Sequence, residues 1–146
     1  MSESIQRAGI EQCESKMGTY SAIISIGSNF GNREKNVRNA IEWLSSNDDV
    51  IIIKRSDIYE TPEVYGNGSA YINAVAEIGT SLSLGLLTDR VKKFEISSGR
   101  NSECRDLGLV PIDIDIVVWN QEVIRPKDFS CDFFKIGYLA MNDNNG

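Results

Sequence analysis

Two aspartates one residue apart are the pair best suited to chemistry in this chain. In Pro111-Ile112-Asp113-Ile114-Asp115-Ile116 the carboxylates alternate with isoleucines, and side chains two apart on a strand point to the same face. Asp113 and Asp115 therefore converge at roughly 6 to 7 Å, near enough to share one or two divalent cations. All-oxygen ligands suit magnesium. An amphipathic strand with a solvated acidic face is the other reading of this pattern; two like charges on so apolar a strand weigh towards the metal. Tyr71 and Asn73 repeat the geometry in Tyr71-Ile72-Asn73-Ala74-Val75-Ala76-Glu77-Ile78, setting an aromatic ring beside an amide that both donates and accepts. Such a pair suits a flat heterocycle, although the same two residues on a strand also commonly pack and bond locally.

Other chemistries are excluded by what the chain lacks. It has no histidine, so imidazole triads, ligands and proton relays are absent, leaving carboxylates, lysine, tyrosine or a metal ion to act. No Gly-Lys-Ser/Thr triplet occurs, which rules out a P-loop. Gly66-Asn67-Gly68 falls between two strands rather than before a helix and reads as a flexible connection that could serve as a lid. Cys13, Cys104 and Cys131 form no CxxC pair, so reduced thiols are expected rather than disulfides or a thiolate zinc site. A net charge of -6 argues against general nucleic-acid binding, which depends on lysine and arginine neutralising phosphates. No apolar run approaches the roughly 18 residues of a membrane span, and the first twenty residues do not read as a secretory signal; a cytoplasmic protein is expected.

The elements that must position these residues follow from periodicity. With 146 residues, 41% hydrophobic and 25% charged, one domain with a real core is the expectation. Residues 1–19 lack apolar periodicity and read as a flexible extension, leaving 20–146 as the domain. Ala22-Ile23-Ile24-Ser25-Ile26 is a strand that ends in the turn formers Gly27-Ser28-Asn29-Phe30-Gly31-Asn32. Asn32 caps a helix over 33–45, with Val37, Ala40, Ile41 and Leu44 on one stripe. A strand from Val50 to about Tyr59 closes at Thr61-Pro62, and a third runs from Tyr71 to Ile78. Ser83 caps a second helix with Leu87, Val91 and Phe94 on one face, and Gly99 stops it. Residues 100–110 show no period, 111–119 form the last strand, and the tail after Asn120 is irregular with aromatics that must pack. The order βαββαβ predicts an α+β, ferredoxin-like fold: an antiparallel sheet with helices on one face and the other open to ligands.

Four landmarks in order, Ile26-Gly27-Ser28-Asn29 with Gly31-Asn32-Arg33, Tyr59-Glu60-Thr61-Pro62, Tyr71-Ile72-Asn73-Ala74 and Asp113-Ile114-Asp115-Ile116, resemble the 6-hydroxymethyl-7,8-dihydropterin pyrophosphokinases of folate biosynthesis. The resemblance spans about 20–138. It implies a transferase that moves pyrophosphate from ATP to a pterin alcohol and releases AMP, with Asp113 and Asp115 holding two magnesium ions and Arg100 beside them at the phosphates. It further implies ATP contacts at Glu95, Arg100 and Ile116, with Lys92 a nearby cation that could compensate at the phosphates, and a pterin pocket of Thr61, Pro62, Val64, Tyr71, Asn73 and Tyr138. The expected partners are these small molecules, bound by a monomer. The chain departs from the family before the aspartates, where Leu107-Gly108-Leu109-Val110-Pro111 stands in place of a Trp-Gly-Pro-Arg-Thr run, and near Phe133 and Ile136, where the family carries a histidine and an arginine. A non-catalytic pterin- or nucleotide-binding relative is the competing reading, and a ferredoxin-like interaction module without a ligand is a third.

Overall fold

The computed structural model describes residues 20–62 and 70–143; the N-terminal extension, Val64 and the 66–68 connection lie outside them. Strand β1 (Tyr20–Ser28) leads into helix α1 (Arg33–Ser46), whose first turn is capped by Asn32 Oδ1 accepting from the Lys35 N–H. The extended run from Val50 is two strands, β2 (Val50–Arg55) and β3 (Tyr59–Thr61), rather than one. Ser56 causes the break: its N–H donates to the Val75 carbonyl while its hydroxyl accepts from the Val75 N–H. A side chain thereby replaces a backbone rung of the ladder. Strand β4 (Tyr71–Thr80) follows, then helix α2 (Leu84–Ser97), capped by Ser83. Gly99 ends that helix with φ +103°, a conformation natural to glycine.

The stretch read as irregular holds a short helix, α3 (Ser102–Asp106), capped by Asn101. Strand β5 (Asp113–Trp119) and the two-residue β6 (Glu122–Val123) form a hairpin whose turn residues Asn120 and Gln121 both have positive φ, as a type I′ turn requires. The tail is helical, with α4 (Pro126–Phe129) and α5 (Asp132–Asp143).

All strand pairings are antiparallel, in the order β2-β4-β1-β5-β6, with β3 pairing the start of β4 on the β2 side. The predicted α+β, ferredoxin-like arrangement is present. Alternation then sorts the strands into two faces. Ile24, Ile26, Ala74, Ala76, Ile78, Ile114 and Ile116 form one buried cluster with Val37, Ala40 and Leu44 of α1 and Leu87 and Val91 of α2. Trp43 and Phe94 stack across these two helices at 4.5 Å. On the opposite face, Val75 and Val117 pack with Phe134 and Met141 of α5. The tail helix thus covers one end of the face expected to be open, and the other end stays accessible. At Gly137 the helix lies so close to the sheet that an added Cβ would stand 2.6 Å from the Tyr59 hydroxyl and from Val75 Cγ2.

Candidate active site

The uncovered end of that face is paved by a cross-strand row. Asn73 of β4 pairs with Gly27 of β1, which pairs with Asp113 of β5; one step along, Val75 pairs with Ser25, which pairs with Asp115. Gly27 is where the two sides meet. A Cβ there would stand 3.2 Å from Asn73 Oδ1 and 3.4 Å from the Tyr71 ring, so glycine keeps the floor low between amide and carboxylate. Asn73 is 3% exposed and donates through Nδ2 to Thr61 Oγ1 at 2.8 Å, which fixes the amide plane. Ser25, Ile26, Gly27, Tyr71, Asn73, Asp113, Asp115, Asp128 and Phe133 line one cavity.

A second cavity, of about 430 Å³, opens along the outer edge of β5 against α2 and shares Asp113 and Asp115 with the first. Lys92, Glu95, Arg100, Ile116 and Arg125 are among its walls. The aspartate pair is therefore the boundary between two compartments. One is floored by an amide and an aromatic ring; the other is rimmed by cations.

The electrostatics of this boundary are strained. Burial pushes the Asp115 carboxyl up to about 8, with the neighbouring Asp113 charge and a hydrogen bond between the two side chains adding to it. Arg100 donates to Asp113 Oδ1 at 2.7 Å and to the Ile112 carbonyl at 3.3 Å, and lies 3.3 Å from Glu95 Oε2. Glu95 accepts the Ile114 N–H at 2.7 Å, stapling the exposed edge of β5 to α2; burial nonetheless raises its own carboxyl above the usual range. Arg125 reaches Asp115 Oδ1 at 3.7 Å and Asp128 Oδ2 at 2.5 Å.

In the second cavity three cations, Lys92, Arg100 and Arg125, face three carboxylates, Glu95, Asp113 and Asp115. The two arginines already sit on acids. A polyphosphate entering here would need added positive charge, which a hard divalent cation held by the two same-face aspartates would supply. No cluster of three or more His, Cys, Asp or Glu side chains placed to hold a metal exists among the described residues.

The predicted site residues fall into place unevenly. Asp113, Asp115, Tyr71 and Asn73 meet in the first cavity, and Lys92, Glu95, Arg100 and Ile116 join the same aspartates in the second. Thr61 is buried behind Asn73 as its hydrogen-bond partner, and Pro62 is exposed at the end of β3. Tyr138 is not among the residues lining either cavity: it packs in an aromatic cluster with Phe129 and Phe134, and Phe133 is the tail aromatic at the first cavity. The helix phase of α5 decides this, since residues five apart point in different directions. Arg125 and Asp128 were not anticipated. Their approach depends on the β5–β6 hairpin, after which the Ile124 and Arg125 N–H groups donate to the carbonyl of Val117, the residue that bulges out of the β1–β5 ladder. Asn29 has a local role: Nδ2 donates to the Gly108 carbonyl and Oδ1 accepts the Val110 N–H at 2.6 Å, tying the 107–111 loop to the end of β1.

Residues 23–141 match the family model described as 7,8-dihydro-6-hydroxymethylpterin-pyrophosphokinase. The chain is 38% identical over 107 residues to the 2-amino-4-hydroxy-6-hydroxymethyldihydropteridine pyrophosphokinase of Bacillus subtilis, covering 73% of this chain and 64% of that protein. It is 36% identical over 106 residues to the protein of the same description from Aquifex aeolicus, covering 71% and 64%. A folic acid synthesis protein of Pneumocystis carinii is 34% identical over 115 residues, 78% of this chain and 15% of that one. The chain thus spans just under two thirds of the length of the two bacterial relatives.

Proposed function

Since the chain belongs to the 7,8-dihydro-6-hydroxymethylpterin-pyrophosphokinase family, we propose that it transfers the pyrophosphoryl group of ATP to 6-hydroxymethyl-7,8-dihydropterin. The observation that carries this reading is the meeting of two cavities at Asp113 and Asp115. In the reaction the pterin hydroxyl oxygen forms a bond to the β-phosphorus, the bond from that phosphorus to the oxygen bridging to the α-phosphorus breaks, AMP leaves with that oxygen, and the hydroxyl proton is released. Such a transfer needs positioning and charge neutralisation more than covalent help.

The pterin edge bonds to the Asn73 amide, held by Thr61, while Tyr71 and Phe133 flank the ring. Arg100 and Lys92 face the triphosphate from the second cavity, beside Ile116. Asp113 and Asp115 would hold magnesium, in two ions on this reading, which supplies charge neutralisation for the phosphates and lowers the proton affinity of the attacking hydroxyl. Glu95 acts by keeping β5 in register, since its carboxylate occupies the Ile114 N–H. The reading also holds the protein to be a cytoplasmic monomer acting on small molecules; among the described residues no helix is long and apolar enough to cross a membrane.

The test is label transfer. With ATP labelled at the β-phosphorus, magnesium and the hydroxymethyl dihydropterin, the label should move to the pterin and unlabelled AMP should appear in equal amount. One observation favours a binding protein without turnover: the 107–111 loop, tied down by Asn29, contains no cation. Tight pterin binding with no label transfer would select that reading.

A further inference from the structure

Arg125 is the cation whose position the proposed reaction leaves unexplained. It follows β6, where its N–H and that of Ile124 share the Val117 carbonyl, and its side chain reaches towards Asp115 of β5. Its guanidinium lies across the boundary described above: it lines the second cavity with Lys92 and Arg100, while its partner Asp128 lines the first. The contact with Asp115 is long, 3.7 Å, and the side chain is 50% exposed. A guanidinium carries five N–H donors in a planar fork, and only the Nε–H to Asp128 is engaged at 2.5 Å among the described residues. Arg100, by contrast, is held by Asp113, Glu95 and a carbonyl at once.

We propose that Arg125 is a phosphate-binding residue of the second cavity, parked on Asp115 and Asp128 until a nucleotide with its divalent cation arrives. Once cations occupy the aspartates, the weak Asp115 contact loses its attraction and the fork turns its Nη groups to the phosphates, with Asp128 keeping hold of Nε. This assignment rests on the second cavity being a nucleotide site, as read above, but not on turnover. Its ligand is a nucleoside polyphosphate, and it offsets the missing cation of the 107–111 loop from a different part of the chain.

The test is calorimetric titration of the whole protein with the magnesium complex of α,β-methylene ATP, which cannot undergo the transfer, and separately with magnesium alone. Arg125→Ala should weaken the nucleotide analogue by about 10- to 100-fold, as loss of a charge-assisted bond implies, and Arg125→Lys should recover part of that loss. Magnesium alone should bind Arg125→Ala at least as tightly as wild type, because a competing cation beside Asp115 has gone. Those opposite signs separate a phosphate contact from a merely structural role, which would weaken both ligands together. Unchanged nucleotide affinity in Arg125→Ala, or parallel loss of both ligands, overturns the proposal. A wild-type protein that binds the analogue but fails label transfer rejects the catalytic reading, while the same comparison still decides Arg125; no analogue binding by wild type rejects both.

Discussion

Asp115 carries the strain of the site, and that strain predicts a measurable conflict between stability and function. Its folded carboxyl is pushed up to about 8 by burial and by Asp113, against about 3.9 in an unfolded chain. Between those values the folded state binds the extra proton, so stability falls as pH rises through the window and stays low above about 8. Glu95, also raised by burial, acts with the same sign. In the absence of divalent cations Asp115→Asn should therefore melt higher than wild type at pH 8.5, on the order of 5 °C, with the gap shrinking towards pH 5. Saturating magnesium should raise the wild-type melting temperature at pH 8.5 and leave the variant nearly unmoved. A constant gap across pH would contradict the assignment. At this scale the sequence was readable where neighbours in the chain are neighbours in space. Asp113 and Asp115, or Tyr71 and Asn73, share a face through strand alternation alone. Arg125 and Asp128 have no such local signal, because a bulge at Val117 and a two-residue turn bring them back to β5.

Among the elements, the two long helices and the strands β1, β4 and β5 were legible because each has a strong period and a capping or stopping residue, with Asn32, Ser83 and Gly99 all in the expected roles. The break at Ser56 was not, since a hydroxyl that replaces a backbone rung looks like any strand residue until its partner Val75 is known. The tail helix left a faint trace: Phe134, Gly137 and Met141, its buried residues, are spaced for one helical face. Its docking is open to a direct test. Gly137→Ala should cost about 1–3 kcal/mol by overpacking against Tyr59 and Val75, and should weaken pterin binding by shifting Phe133, measured by thermal melts and fluorescence titration. Asn29→Ala removes two bonds to the 107–111 loop and should cost about 1–3 kcal/mol, since it leaves the part-buried Val110 N–H without its acceptor. A loss confined to a few tenths would mean that the loop holds itself.

For the molecule as a whole, the architecture divides its labour by sheet face. One face is sealed by α1 and α2 and provides the main core; the other is sealed at one end by α5 and left accessible at the end where Asn73, Gly27 and Asp113 lie in a row. Strand alternation connects the two, because Ile114 and Ile116 pack into the core cluster while Asp113 and Asp115, between and beside them, face the cavities. The βαββαβ order announced this arrangement; the covering of the second face by the tail could not be read from it, because the order of strands says nothing about where a later helix docks. On the proposed function, Asp113 and Asp115 join a nucleotide cavity to a pterin cavity for pyrophosphoryl transfer. The most direct measurement is AMP formed from ATP and the hydroxymethyl dihydropterin, with and without magnesium, by wild type and Asp115→Asn. AMP should equal pterin diphosphate in wild type with magnesium and fall by at least about 100-fold in the variant or without the metal; no AMP at high enzyme concentration, or AMP formation that the variant leaves undiminished, would contradict this role of the aspartates.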